Sequence, residues 1–66
     1  MRVLVNGEPR GARDGETVAS LLAALGLDAR KLAVELNRAI VPKSAYGDTV
    51  LSDDDVIEIV HFVGGG

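Results

Sequence analysis

"VIEIVHFVGGG", residues 56–66, decides how the rest of the chain must be arranged. Its first eight residues carry the strongest strand pattern in the sequence, rich in β-branched residues that favour extended backbone. Glu58 interrupts the apolar run and so fixes the two faces. Ile57 and Ile59 are expected to point at a core, because the carboxylate between them is poor core material. Val56, Glu58, Val60 and Phe62 then share the opposite face. His61 takes the parity of the isoleucines, near the strand's end. Gly64, Gly65 and Gly66 follow almost at once.

A strand needs partners, and the sequence offers them. "SDDD" (residues 52–55) reads as a polar turn leading into the last strand. Before it, "KSAYGDTVL" (residues 43–51) has no period and reads as irregular, with Tyr46 as an anchor on the core. "LAVELN" (residues 32–37) alternates, with Val34 and Leu36 inward and Glu35 outward. Asn37-Arg38 turns it into "AIVP" (residues 39–42), a short strand stopped by Pro42. At the other end, "MRVLVN" (residues 1–6) alternates around Val3 and Val5, and Asn6-Gly7 is a tight-hairpin signal. The returning strand contains Pro9, which cannot donate a ladder hydrogen bond and so belongs at an edge or a strand start.

Between the hairpins lies one helix. Val18, Leu21, Leu22 and Leu25 recur at i, i+3, i+4 and i+7, which puts them on one face. Thr17 is a suitable N-cap, with Asp14 and Glu16 near the positive end of the dipole. Gly26 occupies the position of a left-handed C-cap, and Leu27 can close it with an apolar contact. The spacing predicts a helix over residues 18–25, joined to the third strand by "LDARK" (residues 27–31).

The order is strand, strand, helix, strand, short strand, strand. Two hairpins flanking one helix let that helix cover one face of a single sheet, with the first and last strands side by side and parallel. This is the β-grasp, or ubiquitin-like, architecture of the α+β class, with a mixed sheet of four to five strands. The expected core is Val3, Val5, Val18, Leu21, Leu22, Leu25, Val34, Leu36, Ile57 and Ile59. The expected domain covers residues 1–63, followed by a flexible glycine tail, residues 64–66.

Composition excludes several functions. Sixty-six residues bury a small core, and disulfides or metals often help such domains. No cysteine is present, so stability must come from the apolar 47% of the chain. A lone histidine, His61, forms no metal site and has no placed catalytic partner, so a structural role is expected. "SDDD" lacks the spaced ligands of a calcium loop, and "NGEPRG" lacks the ending of a phosphate loop. No signal peptide or membrane-length apolar run is visible, so a cytoplasmic location is expected. The net charge is −3, and every Lys and Arg lies at or before Lys43. That distribution argues against nucleic acid and for a basic protein surface. Apolar Val60 and Phe62 beside Glu58 mark a candidate docking face.

The glycines have two readings. They are an idle terminus, or they supply a thin end. Glycine has no Cβ and enters channels closed to other residues. Four extended residues reach roughly 13 Å, enough to carry a carboxylate into another protein's site.

The stretches "LNRAIVPKSAY" and "DDDVIEIVHFVGGG", with the total length, resemble the ThiS/MoaD sulfur carriers, and more closely the ThiS branch of thiamine biosynthesis. That resemblance implies a protein co-substrate with no catalytic residues of its own and no bound cofactor. It implies that a ThiF-like enzyme adenylates the Gly66 carboxylate using ATP and Mg²⁺, with Gly64 and Gly65 as the tail. Sulfur from cysteine, by way of a desulfurase, then gives a thiocarboxylate that thiazole synthase consumes. Glu58, Val60 and Phe62 are the expected partner contacts. A carrier for molybdopterin synthesis or tRNA thiolation, and a β-grasp binding module with incidental glycines, remain as alternatives.

Overall fold

The computed structural model describes residues 1–62. The expected domain end at Val63 and the tail, Gly64 to Gly66, lie outside them.

Strands β1 (Arg2–Val5) and β2 (Glu8–Gly11) form the first hairpin, α1 spans Val18–Ala24, β3 (Leu32–Leu36) and β4 (Ala39–Val41) form the second hairpin, and β5 covers Val56–His61. The sheet order is β2-β1-β5-β3-β4. β5 runs parallel to β1 and antiparallel to β3, so the last strand is the centre of the sheet. The β-grasp expectation holds, with five strands. Pro9 lies on the edge strand β2, where its missing N–H is tolerated.

Local chemistry explains the elements. Asn6 and Gly7 both have positive φ, 50° and 83°, as a type I′ hairpin requires. The second hairpin uses the same geometry with Asn37 at 51° and Arg38 at 71°. Thr17 caps α1 in a capping box with Ser20, and Ser20 also donates to the Glu16 carboxylate. The helix ends one residue before the expected limit, with Leu25 as C-cap. Gly26, at φ 72°, donates to the Ala23 carbonyl, and Leu27 N–H reaches back to Leu22 O at 3.0 Å. Those two bonds are a Schellman motif.

Val3, Val18, Leu21, Leu22, Val34, Ile57 and Ile59 are buried as expected, whereas Val5, Leu25 and Leu36 are only half-buried at the margins. The core also takes Leu32, Val41, Tyr46 and Leu51. Tyr46 and Leu51 come from the segment read as irregular. It contains a short 3₁₀ turn, Lys43–Ala45, and then straps the start of the helix. Val18 N–H donates to Thr49 O, Ala19 N–H to Tyr46 O, and Leu51 N–H to Glu16 O. Helix N-termini have donors without intrahelical partners, and this strap satisfies two of them while bringing Tyr46 and Leu51 inward. Burial raises the Tyr46 phenol above its ordinary pKa of 10, with a backbone hydrogen bond at Val34 partly offsetting it.

Candidate functional site

The helix covers one face of the sheet and leaves the other open. Register places the open-face residues. Leu4 pairs with Val56, Glu35 with Glu58 and Ala33 with Val60, and Ile40 with Glu35. Alternation therefore puts Leu4, Val56, Glu58, Val60, Glu35 and Ile40 on one surface. Ile40 is 67% exposed, Val60 55% and Phe62 53%. The parity expected for β5 is correct. Glu58, Val60 and Phe62 all lie on the uncovered side, and the patch extends to Leu4 and Ile40, which the sequence reading passed over. A strand-by-strand reading cannot find them, because they join the patch only through the register.

The strand that leads to the glycines is held by two asparagine side chains, one at its start and one at Ile59. The β1–β5 backbone ladder stops where the chain turns at Asn6, whose N–H donates to Ile57 O at 2.9 Å. The Asn6 side chain makes the next rung: Oδ1 accepts from Ile59 N–H at 2.7 Å, and Nδ2 donates to Ile59 O at 3.3 Å. At the start of β5, Asn37 Oδ1 accepts from Val56 N–H at 2.9 Å, and Nδ2 donates to Asp55 at 2.9 Å. Past the end of β5, Phe62 N–H donates to Lys31 O at 3.0 Å. The described chain is thus tied down up to its last residue.

The charges are arranged differently from their order in the sequence. Asp53, Asp54 and Asp55 sit at the start of β5, about 20 Å from Phe62 at the usual rise per strand residue. They serve the turn. Asp53 accepts from Arg2 N–H, and Asp55 from Ser52 N–H. At the far end, Lys43 Nζ lies 5.3 Å from the Phe62 ring centroid, within cation–π reach, and donates to Arg30 O at 2.8 Å. Away from this face, the hydrogen-bonded Arg30 guanidinium holds the Asp28 carboxyl down at about 2.

His61 has the parity of the isoleucines but is exposed. Because α1 stops at Ala24, the helix does not extend over this end of the sheet. His61 instead lines a shallow cleft of about 270 Å³ with Val5, Asn6, Glu8, Leu25, Leu27 and Ile59. His61 thus stands outside the core, despite sharing the parity of the buried isoleucines. No cluster of metal-ligating side chains occurs among the described residues, and no helix among them is long and apolar enough to cross a membrane.

An open sheet face beside a central strand that runs out toward a glycine terminus is the plan of a ubiquitin-like carrier. Residues 3–66 match the ThiS family, and the chain belongs to it. It is 48% identical over 54 residues to the sulfur carrier protein ThiS of Bacillus subtilis, covering 82% of each. A crystal structure of the thiamine biosynthesis protein ThiS from Geobacter metallireducens superposes with a TM-score of 0.86 at 35% identity, over the full length of both. The chain is also 50% identical, over all 66 residues, to part of a thiazole synthase from Magnetococcus marinus, of which it spans 20%. ThiS relatives of this length are sulfur carrier proteins.

Proposed function

We propose that this chain carries sulfur for the thiazole of thiamine on the carboxylate of Gly66. A free α-carboxylate, with a reference pKa of about 3.3–3.7, is ionised at neutral pH and is a poor electrophile. Activation supplies a leaving group. A carboxylate oxygen of Gly66 attacks the α-phosphorus of ATP and pyrophosphate departs, leaving an acyl adenylate. The terminal sulfur of a persulfide then adds to the acyl carbon and AMP leaves, giving an acyl disulfide, and a thiol reductant cleaves its S–S bond to release the thiocarboxylate. An adenylating enzyme performs the first step with Mg²⁺, and a cysteine desulfurase supplies the sulfur. The chain itself contributes no acid or base. Its part is to present Gly65 and Gly66 and to dock through Glu58, Val60 and Phe62.

The observation that carries this reading is membership of the ThiS family, combined with a sheet whose central strand leads directly to the glycines. The thiazole synthase that contains a stretch half identical to this chain supports thiazole synthase as the consumer of the sulfur. The test is intact mass after incubation with a matching adenylating enzyme, ATP, Mg²⁺ and a sulfur source. A gain equal to one oxygen exchanged for sulfur is expected. No gain, under conditions where the enzyme modifies a known ThiS, overturns the proposal. Phe62→Ala should keep the fold and weaken association with that enzyme, and unchanged affinity would move the docking surface elsewhere.

A further inference from the structure

The open face holds a charge arrangement that the fold does not need. Glu35 and Glu58 stand directly opposite each other in the β3–β5 register. The bonds Phe62 N–H to Lys31 O and Asn37 N–H to Val56 O put every second pair between them in the hydrogen-bonded class, Glu35–Glu58 included. Their Cα atoms are therefore about 5.5 Å apart, with both side chains leaving the same face. Like charges so placed are unfavourable. No ion pair among the described residues relieves them. The one present joins Arg30 and Asp28, and neither glutamate side chain has a hydrogen bond among the described residues. Lys43 is engaged at the Arg30 carbonyl and the Phe62 ring.

The surroundings make the pair consequential. Val56 and Val60 flank Glu58 along β5, and Ile40 stands beside Glu35 on β4. In the free protein, water screens both carboxylates. A partner that covers this apolar surface removes that water, and desolvated anions without a counter-ion are strongly unfavourable. The covering surface must then bring a cation to this point. A guanidinium fits best, because its planar fork offers several donors to two carboxylates at once.

We propose that Glu35 and Glu58 together receive one arginine of the adenylating enzyme that covers the open face. This rests on the carrier reading above. The pair works as a specificity device. It disfavours the free sheet slightly and rejects any partner whose matching position is neutral or acidic. Glu35 therefore joins Glu58 as a contact residue, and the two act as a unit.

The test uses the full chain and its adenylating enzyme. Glu35→Gln and Glu58→Gln should each weaken binding by about tenfold, equivalent to about 1.4 kcal/mol. The double substitution should add little, because one guanidinium serves both carboxylates and contacts within a network are not additive. Melting of the free protein should move the other way. E35Q/E58Q should melt above the natural chain, by a margin that shrinks as salt rises. Glu58→Lys, which creates a favourable cross-strand pair with Glu35, should also melt higher and should bind more than tenfold more weakly. Fully multiplicative effects of the two glutamine substitutions would indicate general electrostatic steering and overturn the shared-cation proposal, as would natural affinity in E35Q/E58Q or a lower melting temperature. A natural chain that gains no sulfur overturns the carrier reading itself. One that gains sulfur while E35Q/E58Q binds equally well overturns only this inference.

Discussion

Replacing Asn6 with glycine should loosen the strand that carries the glycines without disturbing the turn. Asn6 has two roles, and the substitution separates them. Its backbone adopts φ 50°, which glycine tolerates at least as well. Its side chain makes two hydrogen bonds to Ile59, at 2.7 and 3.3 Å, which glycine cannot make. A typical intramolecular hydrogen bond contributes about 0.5–1.5 kcal/mol net, so two give about 1–3 kcal/mol. The site is only part-buried, and water can reach the freed Ile59 groups, so the lower half, about 1–2 kcal/mol, is expected. Domains of this size melt about 4–8 °C lower per kcal/mol lost, so the melting temperature should fall by roughly 5–15 °C. Hydrogen exchange reports the same bond locally: the Ile59 amide should lose protection while that of Ile57 keeps it. Asn6→Asp, which retains the acceptor and loses the donor, should fall between glycine and the natural chain. Unchanged stability and unchanged Ile59 protection in Asn6→Gly would show that the side-chain rung does not hold β5.

Four further outcomes are expected. Leu22, 2% exposed beneath the sheet, should cost about 2–5 kcal/mol when cut to alanine, read by urea unfolding; an unchanged midpoint would put it outside the core. Arg38→Gly should stabilise by ~0.5–1 kcal/mol, because Arg38 is held at φ 71° and the relief of left-handed strain exceeds the entropy glycine adds to the unfolded chain; a lower melting temperature refutes this. Asp28, depressed from 3.8 to about 2 by the Arg30 hydrogen bonds, should contribute stability that is present above pH 3.8 and lost as pH falls through about 2; NMR titration should place its midpoint near the lower value, and Asp28→Asn should remove that part of the acid dependence. Gly65→Val should melt like the natural chain yet acquire sulfur slowly in the intact-mass assay, since a side chain there blocks entry to a narrow site; sulfur gained at the natural rate would make the tail sequence irrelevant.

Much of this architecture is legible in the sequence because local and global signals agree. Thr17 and Gly26 announce their helix positions by residue type, Leu22 by its spacing from Val18, Leu21 and Leu25, and Glu58 between two isoleucines fixes the face of β5. What escaped depends on contacts between distant segments. Asn6-Gly7 reads as a turn, and nothing local shows that the same Asn6 side chain reaches Ile59, 53 residues away. Leu51 is buried because its segment bonds to the helix N-terminus, a pairing with no periodicity to detect, whereas Tyr46 anchors the same segment on the core as its residue type indicated. His61 has core parity, but the helix that would cover it ends at Ala24. The Glu35–Glu58 opposition exists only once the register of β3 against β5 is known.

The central claim is delivery of sulfur from Gly66 to thiazole synthase. It is tested most directly by isolating the thiocarboxylate form, mixing it with the synthase and its other substrates, and following intact carrier mass and thiazole together through a single turnover. The account predicts that the carrier returns to its carboxylate mass in step with thiazole formation, mole for mole. Thiazole formed while the carrier keeps its sulfur, or sulfur lost to water with no thiazole, would contradict it.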